Sequence, residues 1–81
     1  MNKKNLELLL QNNKVPKDCY SLNGGFPNEA LVLKKSFFHW EVYYSERGKK
    51  TELQKFKREE DACLWFCQVI QNMLHHPFNY Q

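Results

Sequence analysis

Glycine, proline and cysteine occur three times each in these 81 residues, and no lysine or arginine follows Arg58. There is no glycine-rich phosphate loop, no HExxH, no CxxC and no nucleophile elbow. The motifs of nucleotide binding, zinc proteolysis, thiol redox chemistry and serine hydrolysis are therefore missing, and no cofactor or metal is expected. No apolar run approaches the ~18 residues of a membrane span. The opening MNKKNLELLL has two lysines, but its apolar run is short and broken by Glu7, unlike a secretory h-region. An odd number of cysteines without an export signal predicts a reduced, cytoplasmic protein. Cys63 and Cys67 stand at helical i, i+4 and look like half a metal site. His75 would lie ~12 Å beyond Cys67 at ~1.5 Å per residue, too far to share one ion. Buried structural thiols are the expectation.

Leu, Ile, Val and Phe supply 21 of the 81 residues. That clears the roughly 20% below which chains tend to stay disordered. One domain spanning residues 1–81 is expected, with one thin core and little room for a deep cleft. The net charge is +3, and all twelve Lys and Arg lie in residues 1–58 beside six acids, leaving three acids in 59–81. Nucleic-acid binding usually carries a denser basic patch with interleaved aromatics, so nucleic acid is not the expected partner.

Helical spacing of Leu6, Leu9 and Leu10 predicts a short helix over 1–14 that ends before Val15-Pro16. Two extended runs, 18–23 and 29–36, flank a Gly24-Gly25 and Pro27-Asn28 turn signal. FFHWEVYYSE is the strongest strand signal, rich in aromatic residues and alternating with period 2. It places Phe38, Trp40, Val42 and Tyr44 toward the core. Gly48 supplies a hairpin turn, and TELQKF pairs back as a fourth strand. REEDACLWFCQVIQNMLHH predicts a helix over 58–76, with Glu59, Glu60 and Asp61 in the first turn, where the macrodipole favours them. Its apolar residues fill an arc of roughly 200°, wider than the stripe of a little over ~100° that one sheet covers. Leu6, Leu9 and Leu10, with Phe78 and Tyr80 from the tail 77–81, are the expected cover; an oligomeric or partner interface is the rival. The fold class is α+β: a four-stranded antiparallel meander over 18–56, a long C-terminal helix on one face and a short N-terminal helix.

If Trp40, Val42 and Tyr44 face the helix, His39, Glu41 and Tyr43 face water on an open sheet face, about 6.5–7 Å apart along the strand. Residues of these types suit a ribonuclease, but an open face neither converges them on a substrate nor excludes water. A recognition surface fits better, because aromatic and Arg side chains serve as hot spots. His39, Glu41, Tyr43, Glu46, Arg47 and Lys49 are the candidate partner-binding residues. The polar side of the last helix around Leu64 is the second choice. Arg47 reads equally as a presented cation and as a surface ion pair with Glu46 worth ~0–1 kcal/mol. His75-His76 before Pro77 reads as a helix end.

The run WEVYYSERG, a hairpin, and then FKREEDACLWF resembles small immunity proteins of bacterial polymorphic and contact-dependent toxin systems. Tyr20, Trp40, Val42, Tyr43, Ser45, Glu46, Arg47, Gly48, Phe56, Glu59, Ala62, Cys63 and Phe66 carry the resemblance over residues 20–74. Lys57 and Arg58 depart from it, where a serine-type N-cap is expected. The resemblance implies a cytoplasmic protein that binds one cognate toxin domain and blocks it, with no catalysis of its own; separately, a monomer or weak homodimer is expected. A nucleic-acid-binding or regulatory protein using lysines 34, 35, 49, 50, 55 and 57 is the alternative. A compact nuclease using His39, Glu41 and Arg47 is the second.

Overall fold

The computed structural model describes residues 1–79 and has an α+β fold in which two helices pack on a four-stranded mixed sheet. Helix α1 spans Lys3–Asn12, and a short 3-10 turn at Lys17–Cys19 leads into β1, Tyr20–Ser21. Strands β2 (Ala30–Lys35), β3 (Trp40–Glu46) and β4 (Lys49–Phe56) follow, and α2 (Glu59–Leu74) completes the chain order. Both helices are shorter than their sequence patterns predict, each losing residues at both ends.

The helix ends have local causes. Asn2 and Asn5 form a reciprocal capping box at the start of α1, with Asn5 N–H donating to Asn2 Oδ1 at 2.8 Å. Arg58 makes no side-chain cap for α2, in keeping with the missing serine. Glu59, Glu60 and Asp61 occupy the first turn instead, and Glu59 Oε2 accepts from Lys3 N–H at 2.8 Å, tying the two helix starts together. His75 stops α2 in the left-handed region (φ 52°), and the N–H groups of His75 and His76 donate to the Asn72 and Gln71 carbonyls.

The sheet order is β1-β2-β3-β4, with β2–β3 and β3–β4 antiparallel but β1 parallel to β2. The expected antiparallel meander is thus corrected at its first link. A β1 of two residues carries no direction of its own; the path of the 22–29 loop sets it. Gly24 N–H donates to the Leu33 carbonyl at the edge of β2, and the loop then crosses the face opposite α2, where the Gly25 carbonyl meets Tyr43 Oη, before the chain re-enters as β2. Gly24 (φ 71°) lies so close to the Lys34 side chain that a Cβ there would sit 3.2 Å from its Cγ.

The core lies between the other face and α2. Leu31, Leu33 and Val42 meet Ala62, Cys63, Phe66, Cys67 and Ile70, and Trp40 packs half-buried against them. Each large apolar side chain buried here contributes roughly 1.5–3 kcal/mol. Leu6 and Leu10 from α1 and Phe78 from the tail are buried in the same cluster, so the second flank of α2 is covered from within the chain. Leu9 is only half-buried, and the expectation for Tyr80 falls outside the described residues. Phe38 is corrected: it lies in the turn before β3 and is 84% exposed.

Candidate functional site

Strands β2 and β3 are joined by a four-residue turn, 36–39, because Lys35 pairs with Trp40 in register. Ser36 N–H closes it by donating to the His39 carbonyl at 2.8 Å. The two central residues are Phe37 and Phe38, which are 88% and 84% exposed. Their rings lie 4.7 Å apart edge to face, at 71°. Together they present on the order of 300 Å² of aromatic surface to solvent. An exposed pair of this size at a hairpin tip is unusual on a small domain, since single scattered apolar residues are the norm.

The turn is braced from below by one carboxylate. Glu41 Oε2 lies 2.8 Å from His39 Nε2 and accepts from Ser36 Oγ at 3.3 Å, so both ends of the turn converge on it. Lys50 Nζ donates to Glu41 Oε1 at 3.3 Å from the neighbouring strand. Burial pushes the Glu41 carboxyl up, but the His39, Lys50 and Ser36 hydrogen bonds and the Lys50 charge more than offset this and hold it below the ordinary 4.5. The Lys50 ammonium also stands 4.7 Å from the Tyr43 ring centre and 5.8 Å from that of Phe26.

The open, wet sheet face expected around His39, Glu41 and Tyr43 is corrected by these contacts. Glu41 is 7% exposed and Tyr43 1%, and Val32, Ala30 and Ser45 beside them are also buried. The cause is the 22–29 loop: Gly25 carbonyl accepts from Tyr43 Oη at 2.7 Å, and Asn28 Oδ1 accepts from Arg47 N–H at 3.3 Å. His39 Nε2 and Glu41 Oε2 are 2.8 Å apart, although a strand spaces alternate residues further. Ser45 Oγ is buried with no hydrogen-bond partner among the described residues.

The remaining candidates sit at the other end of β3. Glu46 is half-buried and Lys49 exposed, and the two are paired across the Arg47-Gly48 turn. Both turn residues have positive φ, 51° for Arg47 and 77° for Gly48, the geometry of a two-residue hairpin that favours Asn-Gly. Arg47 and His39 flank a strand of seven residues, a separation of about 26 Å along it. The trio His39, Glu41 and Arg47 is therefore not gathered at one point. Arg47 makes no ion pair with Glu46 among the described residues; the salt bridges found join Glu41 to His39 and Lys50, and Arg58 to Glu60.

Burial pushes the Cys63 and Cys67 thiols up to about 11, which leaves them unreactive near neutral pH. No group of three or more His, Cys, Asp or Glu among the described residues is arranged to hold a metal ion, and no helix among them is long and apolar enough to cross a membrane. The turn at Phe37 and Phe38 had no sequence signal, because strand periodicity carries straight through FFHW without a glycine or proline to mark it. Among known proteins, no family model, curated sequence or solved structure matches this chain.

Proposed function

We propose that this chain is a protein-binding module that neutralises a toxin domain without catalysis of its own, the role implied by its resemblance to immunity proteins, with Phe37 and Phe38 as its anchor. The observation that carries the proposal is the aromatic pair held outward on a turn whose two ends are hydrogen-bonded to one buried carboxylate. Aromatic anchors dominate the energetics of protein interfaces, and a rigid one loses little freedom on binding. Lys35, beside the turn, lies with its ammonium 5.1 Å from the Trp40 ring centre. The complementary toxin surface is an apolar pocket with an acidic rim. In this reading His39 and Glu41 are positioning residues, and Glu46, Arg47 and Lys49 form a separate patch at the far end of β3.

The test is co-expression with candidate toxin domains from genes neighbouring its own, scored by growth rescue and by affinity of the purified pair. Phe37→Ser/Phe38→Ser should weaken binding by at least about 100-fold, or 2.7 kcal/mol, while circular dichroism stays unchanged. Undiminished protection by the double variant would refute the anchor. RNA cleavage by the pure protein that disappears in His39→Ala would replace inhibition by catalysis. Nucleic-acid binding that collapses as salt rises would favour the lysine-rich alternative.

A further inference from the structure

Strand β4 forms one edge of the sheet, and seven of its eight residues are exposed. Among the described residues its outer edge has no strand partner, so alternate peptide groups on either side of Glu52 face outward unpaired. The strand carries Lys49, Lys50 and Lys55 against Glu52, a net of +2, and Lys57 follows it. Lys49 and Lys55 make no ion pair among the described residues, since the salt bridges there involve other groups. Edge lysines are a common guard against uncontrolled pairing, and so is a bulge. A bulge is present here: the register slips between Val42 and Tyr44, and Glu52 takes a positive φ of 54°. The bulge limits regular pairing to either side of Glu52, and the lysines repel a second copy. In an antiparallel self-pairing centred on β4, Lys50 would stand opposite Lys55. The same charges attract an acidic strand.

Beside this edge runs a groove between α2 and the sheet. It is a cavity of about 370 Å³ with Leu31, Val42 and Tyr44 as its floor, Trp65 and Val69 as its helical wall, and Glu52 and Gln54 on the strand side. Met73 extends the helical wall. Trp65 and Met73 are each 39% exposed, so the wall keeps apolar surface that the core does not use. The register fixes which β4 side chains share each face. Gln54 pairs with Val42 and Thr51 with Tyr44, on the groove side; Lys55 pairs with Glu41 and Lys50 with Ser45, on the opposite side.

We infer that β4 and α2 form a strand-addition site for an extended segment in which apolar and acidic residues alternate. Main-chain hydrogen bonds to the β4 edge supply affinity, and alternate side chains supply selectivity. Side chains pointing one way enter the groove against Trp65, Val69 and Met73. Those pointing the other way meet Lys55, since Lys50 is already held by Glu41. Glu52 on the groove rim excludes acids from the apolar register, which fixes the phase of the alternation. The site is separate from the Phe37–Phe38 turn. It rests on the proposed role only in that both concern a protein partner.

The probe is an eight-residue peptide alternating glutamate with valine or leucine, capped at both ends, titrated calorimetrically into the full chain. It should bind about tenfold tighter than the peptide with lysine in place of glutamate, and the difference should shrink in high salt. Methylating the backbone nitrogens of alternate residues should abolish binding in one of the two phases and spare it in the other. Lys55→Glu should erase the preference for glutamate, and Trp65→Ala should weaken binding about tenfold. The Phe37→Ser/Phe38→Ser variant should bind the peptide as the parent does, so failure of the anchor and failure of this site are told apart. Equal binding of acidic and basic peptides, indifference to both methylation phases, or no binding at all would overturn the inference.

Discussion

Replacing Glu41 by glutamine keeps the volume of the side chain but removes the charge on which Ser36, His39 and Lys50 converge. A hydrogen bond to a charged group contributes roughly 1.5–3 kcal/mol, and a neutral one about 1 kcal/mol. The amide retains one acceptor oxygen, which suits Lys50, and turns an N–H₂ toward Ser36 Oγ and His39 Nε2, which must then accept instead of donate. Weakening these three bonds from charge-assisted to neutral strength costs roughly 0.5–2 kcal/mol apiece, and the smaller desolvation cost of an amide brings the net loss to about 2 kcal/mol. For a domain of this size each kcal/mol moves the melting temperature by about 4–8 °C, so calorimetry at pH 7 should show a fall of about 10 °C. The pH dependence has a definite sign. The folded Glu41 carboxyl lies below its ordinary 4.5, so between the folded and unfolded values the unfolded chain binds more protons. The stabilisation is complete above the ordinary value and is lost as pH falls through the folded one. The gap between parent and Glu41→Gln should thus be present at neutral pH and narrow as pH falls below the ordinary carboxylate value. A gap that is absent at pH 7, or that persists unchanged in acid, would refute the buried-carboxylate brace.

Three further outcomes follow from the same contacts. Ser45→Ala removes a buried hydroxyl with no partner among the described residues, and should raise stability by about 1 kcal/mol in urea unfolding; a loss would mean the hydroxyl is satisfied. Arg47→Asn places a residue suited to positive φ at the hairpin turn and should stabilise by about 0.5–1 kcal/mol, read from the same titration. Cys63 and Cys67 should resist a thiol reagent at pH 8 in the folded chain and react once it is unfolded in denaturant, because burial has raised both thiols to about 11.

The helices were legible in the sequence because their apolar positions repeat every three or four residues. The width of the α2 arc even predicted that a second element must cover it, which Leu6, Leu10 and Phe78 do. The inward face of β3 was legible for the same reason: Trp40 and Val42 lie toward α2. Alternation reports which side chains share a face, however, and not what lies over the other one. The loop over Tyr43 is held by backbone carbonyls of Gly25 and Leu33 and by Asn28, none of which has a periodic signature. The direction of β1 was hidden by its length of two residues. Phe38 was misplaced because parity counted back from Trp40 is broken by a turn lacking glycine and proline. His39 and Glu41 were picked out by residue type, but their shared service to Ser36 and the turn is a tertiary fact that spacing alone does not express.

The braced aromatic turn is tested most directly by ¹⁵N relaxation of the Phe37 and Phe38 backbone amides in the parent chain and in Glu41→Gln. Order parameters near those of the strands, about 0.85, are predicted for the parent, with a fall below about 0.6 in the variant. Low values already present in the parent, or equal values in the two proteins, would contradict it.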